Sequence, residues 1–516
     1  MKLYKLSGWL ITPLVRYLAK RNRQSKIDLT KKQADLLRQL IKKAKHTRFG
    51  IDHGFREIHD IPTYQARVPI RTYEQFAKTY WKANFPILEN VTWPGRIPYF
   101  AKTAGTTSGV SKFIPCTPEM IKSNNRAGMQ VILEHFNNCP ESKILQGRYF
   151  MFAGSPNLEE LAPGIHTGEL SGIAARETPA WAGRDRYYPP AALAAIRDWE
   201  TKLQTIADDC LDNDIRAIGG LPSWLLILFK RIATRFPNNQ IRLGDWFPDL
   251  QLIVHGGMSF EPYRKSFVKM TEGLEADFRE VYAASEGFFA ISDRGPGEGM
   301  RLIADNGIFY EFIPLDRYHE ESPPRYWLGT VVPDVDYVLI VTSNAGLWSY
   351  IVGDIIRFVD IDPFRLIFSG RLSQTLSMFG EKILNEEIEA VLRDVAAQRN
   401  IEIADYSVCS YFYRGKGRHL YLLEFLDEEM PDTIESMVLE VDVALQAVNT
   451  GYATRRKNNV GIFPPSLAIL KPGSFSEWMT RKGKAGGQHK VPRTLGQEQV
   501  DELLAISDQR VAIPNS

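Results

Sequence analysis

The chain has 516 residues, of which 44% are hydrophobic, 24% charged and 11% aromatic, as in a globular protein with a large core. Its 63 Lys and Arg residues nearly balance its 61 Asp and Glu residues, and the net charge of +2 gives no electrostatic basis for nucleic-acid binding. A chain of this length predicts more than one domain.

The four cysteines stand far apart and form neither a CxxC pair nor a zinc-ligand spacing: they are Cys116, Cys139, Cys210 and Cys409. Widely spaced cysteines of this kind are typical of a protein whose thiols stay reduced. They therefore predict a cytoplasmic location.

The first twenty residues combine early lysines with an apolar stretch, as a signal peptide does. Pro13 and Arg16 interrupt that stretch, and no small-residue cleavage site follows it. The segment is also too short and too charged to span a bilayer, so no stable membrane insertion is expected. We predict an amphipathic helix packed on the domain, and the alternative is peripheral contact with a membrane.

Apolar residues then recur at helical spacing over 29–45, which predicts an amphipathic helix with a basic outer face. Further along, short apolar runs that end at glycine turns alternate with helical patterns. The predicted strands are 149–153, 215–218 and 250–254, and the predicted helices are 223–232 and 261–271. Buried strands alternating with helices predict an α/β fold.

The pattern changes after Tyr337, where strands and turns become shorter. The predicted elements are strands at 338–342, 355–359, 366–368, 406–412 and 420–425, a turn at 415–417, and helices at 385–399 and near 432–449. This stretch predicts a small α+β domain. We therefore predict a large N-terminal domain over 1–371 and a small C-terminal domain over 372–516.

The first motif that can carry chemistry is Thr103-Ala-Gly-Thr-Thr-Ser-Gly-Val-Ser-Lys112. Glycines let backbone N–H groups approach an anion, hydroxyls add donors, and a lysine adds a point charge for phosphate. The spacing differs from a Walker A loop, because Gly105 and Gly109 enclose three residues and the lysine comes later. The alternative is a flexible surface loop.

Four motifs follow, and three of them have a plain structural alternative. Tyr282-Ala-Ala-Ser-Glu286 pairs an aromatic ring with a carboxylate, but also fits a buried strand-end Tyr with a surface Glu. Tyr350-Ile-Val-Gly-Asp354 suits a ribose diol, but also fits a hairpin turn. Gly370-Arg371 marks the domain boundary. Lys490 lies in a glycine-rich tail, where a lysine is a solvated charge unless it closes over an anion.

Together and in this order, these motifs resemble those of the adenylate-forming superfamily, which includes acyl-CoA synthetases and luciferases. The closer resemblance is to the auxin-responsive promoter (Gretchen Hagen) family of acyl-acid amido synthetases. It is carried by segments on both sides of the motifs: Gln33-Ala-Asp-Leu-Leu, Ala44-Lys-His-Thr-Arg-Phe-Gly50, Val68-Pro-Ile-Arg-Thr-Tyr-Glu74, Ser111-Lys-Phe-Ile-Pro115 and Lys490-Val-Pro-Arg493. The resemblance extends from about Gln33 to Arg493.

The resemblance implies a ligase with a large adenylation domain and a small mobile lid. ATP and Mg²⁺ would activate a small carboxylic acid as acyl-AMP, and an amine, typically an amino acid, would then accept the acyl group. Glu286 would bind Mg²⁺, and Lys490 and Arg371 would act in catalysis. The implied ATP-binding residues are Thr103, Gly105, Thr106, Thr107, Ser108, Gly109, Lys112, Tyr282, Ser285, Asp354 and Arg371.

Two positions depart from the family pattern. Ala104 stands where the family often has Ser, and Ile351 stands where plant members often have Arg. The alternatives are an acyl-CoA synthetase with a thiol acceptor and an inactive scaffold of the same fold. The presence of Lys490, Glu286 and Asp354 argues against the scaffold.

Overall fold

The structure is a computed structural model. It describes residues 3–24, 28–103, 112–152, 156–177, 186–196, 198–236, 240–257, 260–295, 297–372, 376, 381, 383–413, 416–426, 436–457, 462–482 and 491–507.

Helices occur along the whole described chain. Numbered in order, they are α1 Leu3–Gln24, α2 Leu29–Ala44, α3 Arg48–Asp52, α4 Ile61–Arg67, α5 Tyr73–Phe76, α6 Pro118–Asn138, α7 Leu170–Glu177, α8 Ala191–Ala194, α9 Trp199–Asp209, α10 Pro222–Ala233, α11 Leu243–Trp246, α12 Glu261–Met270, α13 Asn385–Gln398, α14 Met437–Val448, α15 Thr450–Arg456, α16 Ser474–Arg481 and α17 Gln497–Ser507.

The strands are numbered in the same way. They are β1 Tyr99–Lys102, β2 Phe113–Cys116, β3 Arg148–Phe152, β4 Glu159–Ala162, β5 Ile165–Gly168, β6 Tyr187–Tyr188, β7 Ile215–Gly220, β8 Leu252–Gly256, β9 Asp277–Ala284, β10 Gly287–Ile291, β11 Met300–Leu302, β12 Ile308–Pro314, β13 Tyr326–Trp327, β14 Asp336–Ser343, β15 Tyr350–Ile361, β16 Phe364–Arg371, β17 Ile403–Tyr413, β18 Lys416–Phe425 and β19 Ser466–Leu470.

Several helices begin where a side chain caps the first turn. Asp28 accepts a hydrogen bond from the Lys31 N–H, and Thr117 accepts one from the Met120 N–H. The helix predicted at 29–45 therefore begins at Leu29, and it ends at Ala44. No described helix has the length and apolar character needed to cross a bilayer.

The largest described sheet has 12 strands in the order β13-β12-β14-β15-β16-β11-β10-β9-β8-β7-β3-β6. Strands β6, β3, β7, β8 and β9 pair in parallel. The pairs β9–β10, β10–β11, β11–β16, β12–β13 and β12–β14 are antiparallel. Parallel strands need helical crossovers, which α9, α10 and α12 provide. The predicted α/β class is confirmed by this layering.

Strand β8 shows how the sheet is buried on both faces. Ile253 packs in a hydrophobic cluster with Leu225 and Phe267 of α10 and α12. Its neighbour Leu252 points to the other face and packs with Phe136 of α6. Successive strand side chains face opposite sides, so an uninterrupted apolar run fits a strand that is covered twice.

The chain divides into two units by its internal contacts. The first contains most of the described chain up to residue 368, and the second contains 353–355 and the described residues from 369 onward. In the second unit the sheet β17-β18-β19 is covered by α13 and α14 on one face and by α16 and α17 on the other. The mobile lid and its boundary at 371 stay predictions.

The predicted strands and helices are present with ends shifted by a few residues, and two differences have a clear cause. The turn predicted at 415–417 is wrong for Lys416 and Gly417, which belong to β18 because Lys416 pairs with Tyr413. The strand predicted at 355–359 is part of the longer β15, because the glycine at 353 continues the strand instead of ending it.

Candidate active site

The predicted phosphate loop connects two antiparallel strands, β1 and β2. At its base the Thr103 N–H donates to the Lys112 carbonyl at 3.0 Å, and the Lys112 N–H donates to the Thr103 hydroxyl at 3.2 Å. These two residues therefore close the loop. The other predicted members lie outside the described residues: Gly105, Thr106, Thr107, Ser108 and Gly109.

The Lys112 side chain is partly exposed beside two residues of α5. Its Nζ lies 3.7 Å from a Glu74 carboxylate oxygen and 5.4 Å from the centre of the Tyr73 ring. A surface ion pair of this length contributes at most about 1 kcal/mol. Lys112 can therefore exchange these contacts for an anion at low cost.

Tyr282, Ser285 and Glu286 share one tight hairpin. Tyr282 lies in β9, and Ser285 and Glu286 form the two-residue turn to β10, in which Ala284 pairs with Gly287. The Tyr282 ring is buried and lies edge-on against Phe289 at 4.9 Å between ring centres. The turn therefore fixes Glu286 relative to a rigidly held tyrosine.

Glu286 is 7% exposed, which excludes the alternative of a surface glutamate. The Tyr350 hydroxyl donates to its Oε1 at 3.4 Å. Burial raises the pKa of the Cys116 thiol to about 12, and the negative charge of Glu286 adds to this effect. A buried carboxylate at the end of a hairpin is the hard oxygen ligand that Mg²⁺ takes from proteins, so this residue fits the ion.

Asp354 and Arg371 are brought together by the neighbouring strands β15 and β16. Asp354 is buried, and one of its carboxylate oxygens lies 3.2 Å from the Arg371 Nε. Gly353 before it has φ +91°, a left-handed value at which a side chain would be strained. Asp354 therefore lies inside a strand, and the hairpin-turn alternative is wrong.

A third titratable group lies beside them, Glu386 at the start of α13, and no motif in the sequence assigned it a role. Its Oε2 is buried without a hydrogen-bond partner, and a Cβ placed on Gly370 would lie 2.3 Å from that oxygen. Burial raises the pKa of Glu386 to about 8, with a smaller contribution from Glu389. The carboxyl is therefore largely neutral at pH 7, while Arg371 pairs with Asp354.

Lys490 lies outside the described residues, but the segment that follows it is firmly attached to β17. Arg493 forms a short ion pair with Asp405, donates to the Tyr406 carbonyl at 2.8 Å and lies 4.3 Å over the Tyr406 ring. The Arg493 carbonyl also accepts from the Val408 N–H at 2.8 Å. Arg493 belongs to the quoted C-terminal motif, yet its anchoring role depends on a strand distant in sequence.

The carboxyl ends of the parallel strands form a second candidate region. In open α/β sheets, ligands bind at this edge. His255 near the end of β8 stacks on Phe260 at 3.7 Å between ring centres, and its Nδ1 is buried without a hydrogen-bond partner. Burial lowers the pKa of His255 to about 3, so the ring is neutral. No motif in the sequence distinguished it.

One cluster outside these regions has the residue types of a metal site: His135, Cys139 and Asp277. Both ring nitrogens of His135 are engaged, one by Asp277 at 2.8 Å and the other by the Ser142 hydroxyl at 2.7 Å. Asp277 also accepts from Arg279. These contacts join α6 to β9, and the cluster is a structural network.

The large α/β unit, the smaller α+β unit and the order of the motifs define the class as an adenylate-forming fold. Among solved structures, the GH3.15 acyl acid amido synthetase is similar with a TM-score of 0.77 and 18% sequence identity over 94% of each chain. A likeness at that identity establishes the fold.

The chain belongs to the GH3 family. The models of the GH3 family N-terminal, central and C-terminal domains match residues 19–204, 301–371 and 386–499, respectively. A probable indole-3-acetic acid-amido synthetase, GH3.9 from Oryza sativa subsp. japonica, is 30% identical over 45% of this chain and 56% of its own length. The jasmonoyl–L-amino acid synthetase JAR6 from Nicotiana attenuata is 22% identical over 96% of this chain and 98% of its own.

Proposed function

We propose that this protein uses ATP to convert a small carboxylic acid into acyl-AMP and then transfers the acyl group to an amine, an amino acid. The observation that carries the proposal is the buried Asp354 beside Arg371. Asp354 directly follows Gly353 in the motif that the family resemblance assigns to binding the ribose diol of ATP. A carboxylate can accept a hydrogen bond from each of the two ribose hydroxyls, and the Arg371 guanidinium beside it offsets its negative charge.

In the first half-reaction a substrate carboxylate attacks the α-phosphate of ATP, and pyrophosphate leaves. The protein has to align the reacting atoms and offset the negative charge. Thr103 and the hydroxyls at 106–108 would hold phosphate oxygens with Lys112, and Tyr282 and Ser285 would lie at the nucleotide. Mg²⁺ held by Glu286 would offset phosphate charge.

In the second half-reaction the amine attacks the acyl carbonyl, and AMP leaves. Lys490 would offset charge on the acyl phosphate in the first step only, and a rotation at Leu372 would withdraw it for the second. The support for this role is the motif Lys490-Val-Pro-Arg493, whose last residue is attached to β17 through Asp405 and Tyr406.

The four cysteines support a reducing, cytoplasmic setting as part of the proposal. All are free, and burial raises the pKa of Cys116 and Cys210 to about 12 and that of Cys409 to about 11. Thiols with such pKa values stay protonated and unreactive at neutral pH.

The test is pyrophosphate and AMP release from ATP with a panel of carboxylic acids, including indole-3-acetate and jasmonate, each with amino acids, with CoA or with neither. We expect AMP and an amide product with one class of acid and an amino acid. Formation of a CoA thioester in preference to an amide would show that the acceptor is a thiol and not an amine. Stoichiometric ADP with a substrate that turns over would refute adenylation.

A further inference from the structure

Helix α1 packs on the first unit through its small residues. Gly8 is so close to the turn Ile144–Gln146 that a Cβ on it would lie 1.8 Å from the Leu145 carbonyl oxygen. Ala19 is 1% exposed in a cluster with Phe136 of α6, and Thr12 is also buried. The side of α1 that packs on the first unit therefore consists mainly of small residues.

The opposite face of α1 carries the large apolar residues. Trp9, Leu10, Leu14 and Tyr17 are between 58% and 64% exposed, and Leu18 is 40% exposed. Leu10, Leu14 and Tyr17 follow the i, i+4, i+7 spacing, so they form one stripe along the helix. We call these five residues the outer apolar face. Trp9 and Leu18 flank this stripe on either side. A solvent-facing helix surface normally carries polar residues, and large exposed apolar residues grouped in this way mark an interaction surface.

Charge identifies the partner. Residues 1–27 contain seven basic residues and no acidic one: Lys2, Lys5, Arg16, Lys20, Arg21, Arg23 and Lys26. Subtracting these seven from the net charge of +2 leaves −5 for residues 28–516. The cationic segment thus belongs to an otherwise acidic chain. An anionic surface would attract this segment and repel the rest of the protein.

A second copy of the chain fits this face less well. In a symmetric dimer the same surface meets itself, so two segments that each contain seven basic residues and no acidic one would come together, with only Arg16 ion-paired to Glu141 among the described residues. Anionic lipid headgroups offset the charges, and the acyl boundary takes up Leu side chains while Trp and Tyr favour the interface. The segment lies on the bilayer in this arrangement, in keeping with the absence of any membrane-spanning helix among the described ones.

We propose that the outer apolar face of α1 and its basic flanks attach the enzyme reversibly to an anionic membrane surface. The match to the GH3 family N-terminal domain begins at residue 19, so most of α1 precedes the matched segment. The proposal does not depend on the proposed function. A carboxylic acid partitioned into the membrane would be presented at high local concentration to an enzyme bound there.

The test is co-sedimentation of the 516-residue protein with vesicles of phosphatidylcholine plus phosphatidylglycerol and with vesicles of phosphatidylcholine alone. We expect binding to the anionic vesicles that high salt weakens, and at least tenfold less bound protein for the Leu10→Glu/Leu14→Glu variant. The matched control is Leu439→Glu/Val443→Glu, which changes two exposed residues at the same spacing on α14 and should bind like the wild type.

A second readout is the fluorescence of Trp9, taken as the difference between wild type and Trp9→Phe. Anionic vesicles should shift it to the blue, while circular dichroism and the unfolding temperature of the variants stay close to wild type. Equal binding to neutral vesicles, or no binding to either, would overturn the proposal. So would sedimentation as a dimer that the Leu10→Glu/Leu14→Glu change dissociates, without vesicle binding, since the face would then be a self-association surface.

Discussion

The candidate site is built from two kinds of structure that hold their side chains differently. Asp354 and Arg371 lie on neighbouring strands, and both are fixed by the sheet before any ligand arrives. Residues 104–111 and Lys490 lie outside the described residues, and what the structure shows are the attached residues next to them, Thr103 and Lys112 in one case and Arg493 in the other. We therefore expect Asp354 to contribute to ground-state binding of ATP, whereas the proposed contact of Lys490 would form only as charge develops in the first step.

The largest effect that would test this contrast is expected at Lys490. Lys490→Ala should lower the rate of acyl-AMP formation by about 10²–10³-fold, the usual consequence of removing one charge-stabilising donor. Nucleotide affinity should stay nearly unchanged, and chemically made acyl-AMP should still be converted to amide. The measurement is single-turnover kinetics of each half-reaction. An equal loss of rate in both half-reactions would contradict a role of Lys490 in the first step only. An unchanged rate of acyl-AMP formation would show that Lys490 is a solvated surface charge.

Asp354→Ala should show the opposite pattern, with weaker ATP binding and a folded protein. Loss of charge-assisted hydrogen bonds to the ribose costs about 1.5–3 kcal/mol, or roughly tenfold to a hundredfold in affinity. Calorimetry with ATP and with 2′-deoxy-ATP distinguishes loss of the ribose contact from general loss of binding. Wild type should bind ATP more tightly than 2′-deoxy-ATP, and Asp354→Ala should bind the two equally. A variant that still discriminates would place the ribose elsewhere.

Glu386 predicts a dependence of stability on pH. Its pKa is raised to about 8 in the folded protein, so the folded state holds a proton that the unfolded state releases above its ordinary pKa. Stability should therefore fall as pH rises from about 5 to 8, by up to about 1.4 kcal/mol per pH unit, and then level off. Urea unfolding of wild type and Glu386→Gln measures this. The unfolding free energy of Glu386→Gln should fall less steeply with pH than that of wild type. If the two plots of unfolding free energy against pH run parallel, Glu386 is already ionised in the folded protein.

The smallest expected effect is at the anchor. Arg493→Ala leaves Asp405 without its partner at a partly exposed site, and we expect a loss of about 1–3 kcal/mol in unfolding free energy. The rate of adenylation should fall with no change in ATP affinity, because the displaced loop carries Lys490. Arg493→Lys keeps the charge but loses the planar guanidinium over the Tyr406 ring. Its unfolding free energy and adenylation rate should lie between those of wild type and Arg493→Ala. Full adenylation activity in a destabilised Arg493→Ala protein would show that the contacts of Arg493 contribute to stability but not to catalysis.

Much of the fold follows from local patterns in the sequence. Strand β8 and helix α2 have apolar periodicities that depend only on neighbouring residues, and their class and position were predictable. The length of β15 was not, because Gly353 can either end or continue a strand, and the choice is made by pairing with β16.

The site divides in the same way. Asp354 and Glu286 could be found as carboxylates in ordered motifs, but the burial of Glu286 depends on Tyr350 from a distant strand. Glu386 and Arg493 were missed in these roles because their chemistry comes from burial beside Gly370 and from pairing with Asp405. Nothing in the residues next to them signals either contact.

The two-residue turn at Ser285 and Glu286 has a consequence for sequence comparison. Strand side chains alternate between faces, so one inserted residue between Ala284 and Gly287 would move Glu286 to the other side of the sheet or out of register. If Glu286 binds Mg²⁺ as proposed, a correct alignment with any relative that shares this role should contain no gap here. Under the same proposal, a gap at this hairpin would mark a relative in which the metal ligand is displaced.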